Sequence, residues 1–238
     1  MHTVIQSLKF FGNNTSLMYD KTLAHLAISF ASVGVAILLA VPLGVWLGHL
    51  HRGSFLAINI SNIGRALPSL AVISLGIAFL GIGFVNTMVA LVILAGPVMM
   101  TNAYVAVEQV DPNAVQAARA MGMKPWQVLF RVELPLAIPL IFAGVRTGSV
   151  YVIATATLAT FAGGSGLGDV IVNEPSYGIP GVVAASLTIT VLAFAVDGLL
   201  ALVQQAITPQ PLRHRGKATR IAATVTEPSW ETAGLDVS

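Results

Sequence analysis

The chain has 238 residues, of which 55% are hydrophobic and 9% charged, and its formal net charge is +2. Soluble domains carry about 25% charged residues, so this balance points to an integral membrane protein and leaves no basis for nucleic-acid binding. The absence of cysteine excludes a disulfide scaffold, a thiolate metal site and a thiol nucleophile.

Residues 1–18 read as a pre-membrane segment. They lack the basic start and small-residue cleavage site of a secretory signal, and the stretch from Gly12 to Ser16 is polar. Val4 to Phe11 is expected to lie at the membrane interface. The membrane part covers 19–204. A bilayer-spanning helix needs about 20 mostly apolar residues, and the first candidate runs from Thr22 to Leu50, with His25 inside it. Ala66 to Val107 contains no charged residue, which is room for two helices joined by a turn between Gly81 and Asn86, with Arg65 and Pro68 near the start. A fourth span runs from Ala137 to about Thr160 with Arg146 inside it, and Gly163 to Gly168 closes it. A fifth runs from Gly178 to Val203 and contains Asp197. The expected fold is therefore all-α, with about five transmembrane helices. Residues 205–238 are polar, carry Pro209, Pro211 and Pro228, and cannot bury a core, so they read as a disordered tail.

The basic residues set the orientation. Arg52 follows the first span, Arg119, Lys124 and Arg131 follow the third, and Arg213, Arg215, Lys217 and Arg220 follow the fifth. Five spans put all three groups on one face, and an excess of Lys and Arg marks the cytoplasmic face. The N-terminus and the glycine-rich loop with Asp169 and Glu174 then lie outside, in a multi-pass protein of the plasma membrane. No inverted repeat of the secondary-transporter kind is visible, and five spans predict a pathway completed by a second chain.

The segment between spans three and four, Asp111 to Pro135, is polar and helix-forming. Asp111 suits a helix N-cap and Pro112 the first helical position. Ala114 to Ala120 is rich in helix formers, Gly122 can supply the positive φ that ends a helix, and Pro125 suits the start of a second short helix. Ala117, Ala118 and Ala120 are small enough to admit a partner surface closely. The alternative is an interfacial helix that only anchors the loop.

This stretch resembles the Glu-Ala-Ala loop of type I ABC importer permeases, with Gln116-Ala117-Ala118, then Gly122, then Glu133-Leu134-Pro135. Gln116 stands where the family usually has Glu, which removes a salt bridge from that position but leaves helix docking intact. Arg65 to Ala71, Ala118 to Met123, Gly144 to Thr147 and Ala162 to Gly168 are similar to the osmoprotectant branch (glycine betaine, carnitine, choline), and the methionine importers share much of the pattern. The resemblance covers Tyr19 to Val203. It implies the type I permease fold, a coupling helix at Asp111, Gln116, Ala117, Ala118, Arg119, Gly122, Pro125, Glu133, Leu134 and Pro135 seated on a cytoplasmic ATPase, a second permease chain, identical or paralogous, and an outer substrate-binding protein.

The remaining candidates are intramembrane charges and glycines. A charge in hydrocarbon costs about 2.5–3.5 kcal/mol, so it faces a partner or water. Arg146 lies roughly 13 Å beyond Ala137 and Asp197 roughly 9 Å before Val203, counted from the same face. These depths predict an Arg146–Asp197 pair, with Arg65 as a competing partner and separate snorkelling as the alternative. Gly163, Gly164, Gly166 and Gly168 form either a flexible turn or a hinge at the outer mouth; without a preceding strand they are no nucleotide motif. No Gly-x4-Gly-Lys-Ser/Thr occurs, so ATP and Mg belong on a partner chain and this chain is not itself an enzyme. Two other classes stay open. An intramembrane serine protease would use Ser165 with a histidine, for which His25 and His214 are poorly spaced. A stand-alone carrier or channel would leave the polar segment without a role.

Overall fold

A computed structural model describes residues 2–51, 59, 62, 64 and 66–208; Arg52, Arg65 and the tail from 209 lie outside the described residues. All regular structure among the described residues is helical. The elements are α1 (His2–Asn13), α2 (Thr15–His49), α3 (Ser69–Leu80), α4 (Phe84–Glu108), α5 (Pro112–Ala120), α6 (Pro125–Val128), a π-helical turn Leu129–Glu133, α7 (Leu134–Thr155), a 3-10 turn Ala156–Ala162, α8 (Leu167–Val172) and α9 (Glu174–Ile207).

Among the described residues, four helical stretches are long and apolar enough to cross a bilayer: Thr15–His49, Phe84–Glu108, Pro125–Ala162 and Glu174–Ile207. The expected second span is present only in pieces. Its helix α3 has 12 residues, roughly 18 Å and too short to cross the core alone. The path of the chain nevertheless requires a crossing here. The α2 C-terminus lies at the polar-segment end of the bundle, where His49 meets Glu133. The start of α4 lies at the opposite end, where the Gly83 N–H donates to the Ala162 carbonyl at 2.8 Å. Between them Gly64 abuts Pro97, in the middle of α4, and Ile73 is fully buried. With the four long helices, α3 therefore fits the expected count of about five spans. Pro68 interrupts the second pass by taking an extended backbone, φ −65° and ψ 120°.

Lipid supplies no hydrophobic drive between helices, so close approach of backbones has to hold such a bundle together. The sequence provides it at four-residue spacing. Ala36, Ala40, Gly44 and Gly48 form one buried stripe along α2. A Cβ added at Gly44 would stand 2.3 Å from the Met100 carbonyl oxygen, and one at Gly48 would stand 2.7 Å from that of Tyr104. On the other side of α4, Gly144 and Gly148 of α7 admit Asn102 and Met99, with added Cβ atoms 2.3 Å and 2.6 Å from those side chains. Helix α4 is thus clamped between two small-residue stripes, and the core of Ile28, Leu91, Met99, Met100, Tyr104 and Val152 closes around it.

The outlying elements pack around this centre. In α1, Ser7, Leu8 and Phe11 share a groove with Ala184, Leu187 and Val191 of α9. The Phe10 ring meets Tyr177 edge-on at 6.4 Å. Helix α1 therefore lies against the side of α9. Residues Gly178 and Pro180 kink α9 near its start, where Gly178 has φ 66°.

Candidate functional site

The polar segment folds as two short helices around a glycine elbow. The Asp111 side chain caps α5 by accepting the Asn113 N–H at 2.9 Å. At the other end Gly122 has φ 80°, its N–H donates to the Arg119 carbonyl at 3.0 Å, and the Met123 N–H donates to that of Ala118 at 3.2 Å. This crossed pair of bonds closes the helix end and requires the left-handed conformation at Gly122. The Gln127 Oε1 then accepts the Lys124 N–H at 2.8 Å to start α6.

The segment has two faces. Val115, Ala118 and Val128 turn inward onto Val107, Val110 and Ala137. Gln116, Ala117, Arg119, Ala120 and Gly122 turn outward, as do three large apolar side chains: Met121 at 72% exposure, Trp126 at 58% and Phe130 at 60%. Two residues expected on the docking face are not on it. Ala118 is 1% exposed and Glu133 is fully buried. The reason for Glu133 is the π-helical turn Leu129–Glu133, which inserts an extra residue and rotates the residues after it by about 100° relative to a regular helix.

Glu133 instead meets His49 at the end of α2, with Oε2 and Nδ1 2.5 Å apart. At the opposite end of α2 the Lys21 ammonium holds Asp169 at 2.5 Å and donates to Ser165 Oγ at 3.3 Å. The two pairs stand roughly 42 Å apart along α2, about the thickness of a bilayer with its headgroups. The third pair is within the span. Arg146 Nε and Nη2 donate to the two carboxylate oxygens of Asp197 at 2.5 and 2.8 Å, tying α7 to α9. Arg65 lies outside the described residues.

The glycine loop is packed rather than loose. Gly163 turns with φ 71° against Ile82, while an added Cβ at Gly164 would stand 2.8 Å from the Ala159 carbonyl and one at Gly168 2.0 Å from that of Thr157. Gly166 is extended, with φ 176°. Gly163, Gly164 and Ser165 line a cavity of about 310 Å³ with Ala24, Phe84 and Thr87. His25 packs beside Gly166, and its Nε2 lies 3.0 Å from the Ile153 carbonyl. Since Lys21 holds Ser165, no histidine activates that hydroxyl among the described residues, and the protease reading has no geometry behind it. No cluster of metal-ligating side chains occurs among the described residues.

Residues 40–209 match the family described as the inner membrane component of binding-protein-dependent transport systems. The chain belongs to this family. Among curated proteins it is 38% identical over 213 residues to the glycine betaine/carnitine/choline transport system permease protein OpuCB of Bacillus subtilis, covering 87% of this chain and 96% of that one. It is 40% identical over 214 residues to the choline transport system permease protein OpuBB of the same organism, covering 88% and 95%. Its fold matches the MetNI methionine ABC transporter in an inward-facing form with a TM-score of 0.74, at 20% identity over 83% of this chain and 99% of that one. The type I importer permease fold expected from the loop motif is the fold of this permease.

Of the side-chain pairs among the described residues, His49–Glu133 and Lys21–Asp169 were not anticipated from sequence. His49 and Glu133 are 84 positions apart, and pairing them requires knowing that the π turn points Glu133 inward. Lys21 and Asp169 are 148 apart, and pairing them requires the path of the glycine loop. The signal for the first was a carboxylate directly before the Leu134-Pro135 return into the membrane. Removing one partner of a buried hydrogen bond leaves the other polar group unsatisfied, which costs about 1–3 kcal/mol. Glu133→Ala is therefore expected to lower the detergent melting temperature of the permease markedly, and Glu133→Gln, which keeps a hydrogen bond to His49, to lower it much less. Equal melting of all three proteins would remove the pair from the stability of the fold.

Proposed function

We propose that this permease is the membrane subunit of an ATP-driven importer of small quaternary-ammonium osmoprotectants, the class to which glycine betaine, carnitine and choline belong. The observation that carries the docking half of this reading is the outward face of α5 and α6. Met121, Trp126 and Phe130 are exposed on a rigidly capped segment beyond the spans, and large apolar side chains gathered there fit a protein partner better than water. That partner is a cytoplasmic ATPase that holds ATP and Mg. Its closure pushes α5 and α6, and the push enters the bundle through Val115, Ala118 and Val128. A second permease chain completes the pathway, and an outer binding protein delivers substrate at the Gly163–Gly168 end, where the glycines serve as the outer hinge. The distribution of basic residues along the sequence supports a plasma-membrane chain with the N-terminus outside and the C-terminus in the cytoplasm.

The substrate half rests on the two Bacillus subtilis relatives at 38% and 40% identity; the likeness to the methionine transporter, at 20% identity, speaks to fold alone. Cells lacking their own osmolyte uptake, given the permease together with an ATPase and binding protein of the same class, are expected to accumulate labelled glycine betaine or choline against a gradient. Omitting the ATPase should abolish accumulation. Uptake of methionine with neither osmolyte transported would shift the assignment to an amino-acid importer.

A further inference from the structure

The Arg146–Asp197 pair sits at an unusual place for an ion pair. Arg146 lies near the middle of α7, and Asp197 lies roughly 15 Å from the Ile207 end of α9. The hydrocarbon core is about 30 Å thick, and counted from Ala137 and Val203, the expected ends of the two spans, the pair lies roughly 9–13 Å inside it. Yet the two side chains remain 36% and 33% accessible. Charges facing lipid at that depth are costly and rare, so this face of α7 and α9 is turned toward water or a second chain rather than toward lipid.

Beside the pair is a cavity of about 380 Å³, lined by Val150, Ala154, Thr190, Ala193, Phe194 and Asp197. Phe194 is 74% exposed there. Arg146 uses Nε and Nη2 on Asp197, which leaves the two N–H groups of Nη1, and a carboxylate accepting two hydrogen bonds keeps further lone pairs. The groove thus presents the Asp197 carboxylate and the Phe194 ring, and Arg146, bonded to that carboxylate, keeps an unused donor edge next to it.

Resting on the osmoprotectant reading, we propose that this groove is a transit site for zwitterionic substrate, with the quaternary ammonium over Phe194 against Asp197 and the substrate carboxylate on Arg146 Nη1. A quaternary ammonium has no N–H to donate, so it is held by charge and by aromatic faces rather than by hydrogen-bond acceptors. The protein pair and the substrate are both internal dipoles. Laid antiparallel, they satisfy each other and add no net charge to the site. Zwitterionic lipid headgroups share this chemistry but lie beyond the ends of the two spans. Choline offers the cation without the carboxylate, so it engages Asp197 and Phe194 and leaves Nη1 unused.

The test uses the assembled transporter in liposomes, with glycine betaine and choline as probes delivered by saturating binding protein. Arg146→Lys keeps the ion pair but lacks the second donor edge; it is expected to slow betaine uptake about ten-fold while choline uptake changes little. Phe194→Leu keeps an apolar surface and is expected to slow both several-fold, in line with the worth of one cation–π contact. The doubly neutral Arg146→Gln/Asp197→Asn variant keeps a hydrogen bond and no lone charge, and is expected to transport neither probe while still assembling. Equal slowing of both probes by Arg146→Lys, or unchanged uptake in Phe194→Leu, would overturn the site. Loss of the permease dimer in the double variant would overturn it in favour of a contact between two permease chains. A wild-type transporter that moves neither probe would overturn the osmoprotectant reading and this proposal with it.

Discussion

Gly44→Leu is expected to abolish recovery of folded permease, whereas Gly34→Leu, ten residues earlier on the same helix, is expected to leave it intact. A Cβ at Gly44 would stand 2.3 Å from the Met100 carbonyl oxygen and 2.9 Å from the Ala103 Cβ, whereas one at Gly34 meets nothing within 4 Å. The obstructing atom at Gly44 is backbone of α4, which cannot rotate aside as a side chain can. The whole of α2 would have to move off α4, opening the seam through Ala36, Ala40 and Gly48 that the two helices share. Overpacking costs about 1–3 kcal/mol where neighbours can adjust, and more where they cannot. In lipid no hydrophobic gain offsets the separation. Size-exclusion profiles in mild detergent read the outcome. A monodisperse Gly44→Leu protein with wild-type melting would show that the α2–α4 approach is not what holds the bundle.

The spans were legible in the sequence because a bilayer admits few alternatives: backbone groups must be bonded within each segment, so an apolar run of sufficient length becomes a helix. The second pass was the least legible, since Pro68 divides it and leaves α3 with 12 residues. The Arg146 and Asp197 positions could be related from sequence because depth along two regular helices is a matter of counting, and the structure brings the two side chains to 2.5 Å. The same counting misplaces Glu133, because the π turn before it breaks the 3.6-residue phase. The stripe of Ala36, Ala40, Gly44 and Gly48 was present in the sequence as a four-residue repeat of small side chains, yet it carries meaning only once the partner helix is known. Face assignment within α5 fell between these cases. Its caps were readable from Asp111, Pro112 and Gly122, but the inward turn of Ala118 depends on the hydrophobic floor formed by Val107, Val110 and Ala137.

That division of α5 and α6 into a buried and an exposed face leads to the second large effect. Met121→Asp/Trp126→Asp is expected to abolish capture of the ATPase while leaving the permease inserted and folded. Both side chains are more than half exposed, at 72% and 58%, and neither belongs to the cluster of Val115, Ala118 and Val128 that seats the segment on the bundle. Substitution therefore leaves the fold's own contacts in place and changes only what a partner meets. A buried aromatic or methionine anchor at the centre of an interface is worth about 2 kcal/mol or more, roughly 30-fold in affinity, and a carboxylate in its place adds desolvation cost. Two such changes together should carry the ATPase from stable co-purification to none. Gly122→Val tests the same surface from the other side: its added Cβ meets open space, but the backbone at φ 80° is hostile to a β-branched residue. The elbow between α5 and α6 would open, and coupling should fail although both anchors remain. Pull-down of the ATPase with each variant, alongside melting of the permease itself, separates these outcomes. Undiminished capture by the double aspartate variant would place the ATPase elsewhere on the chain.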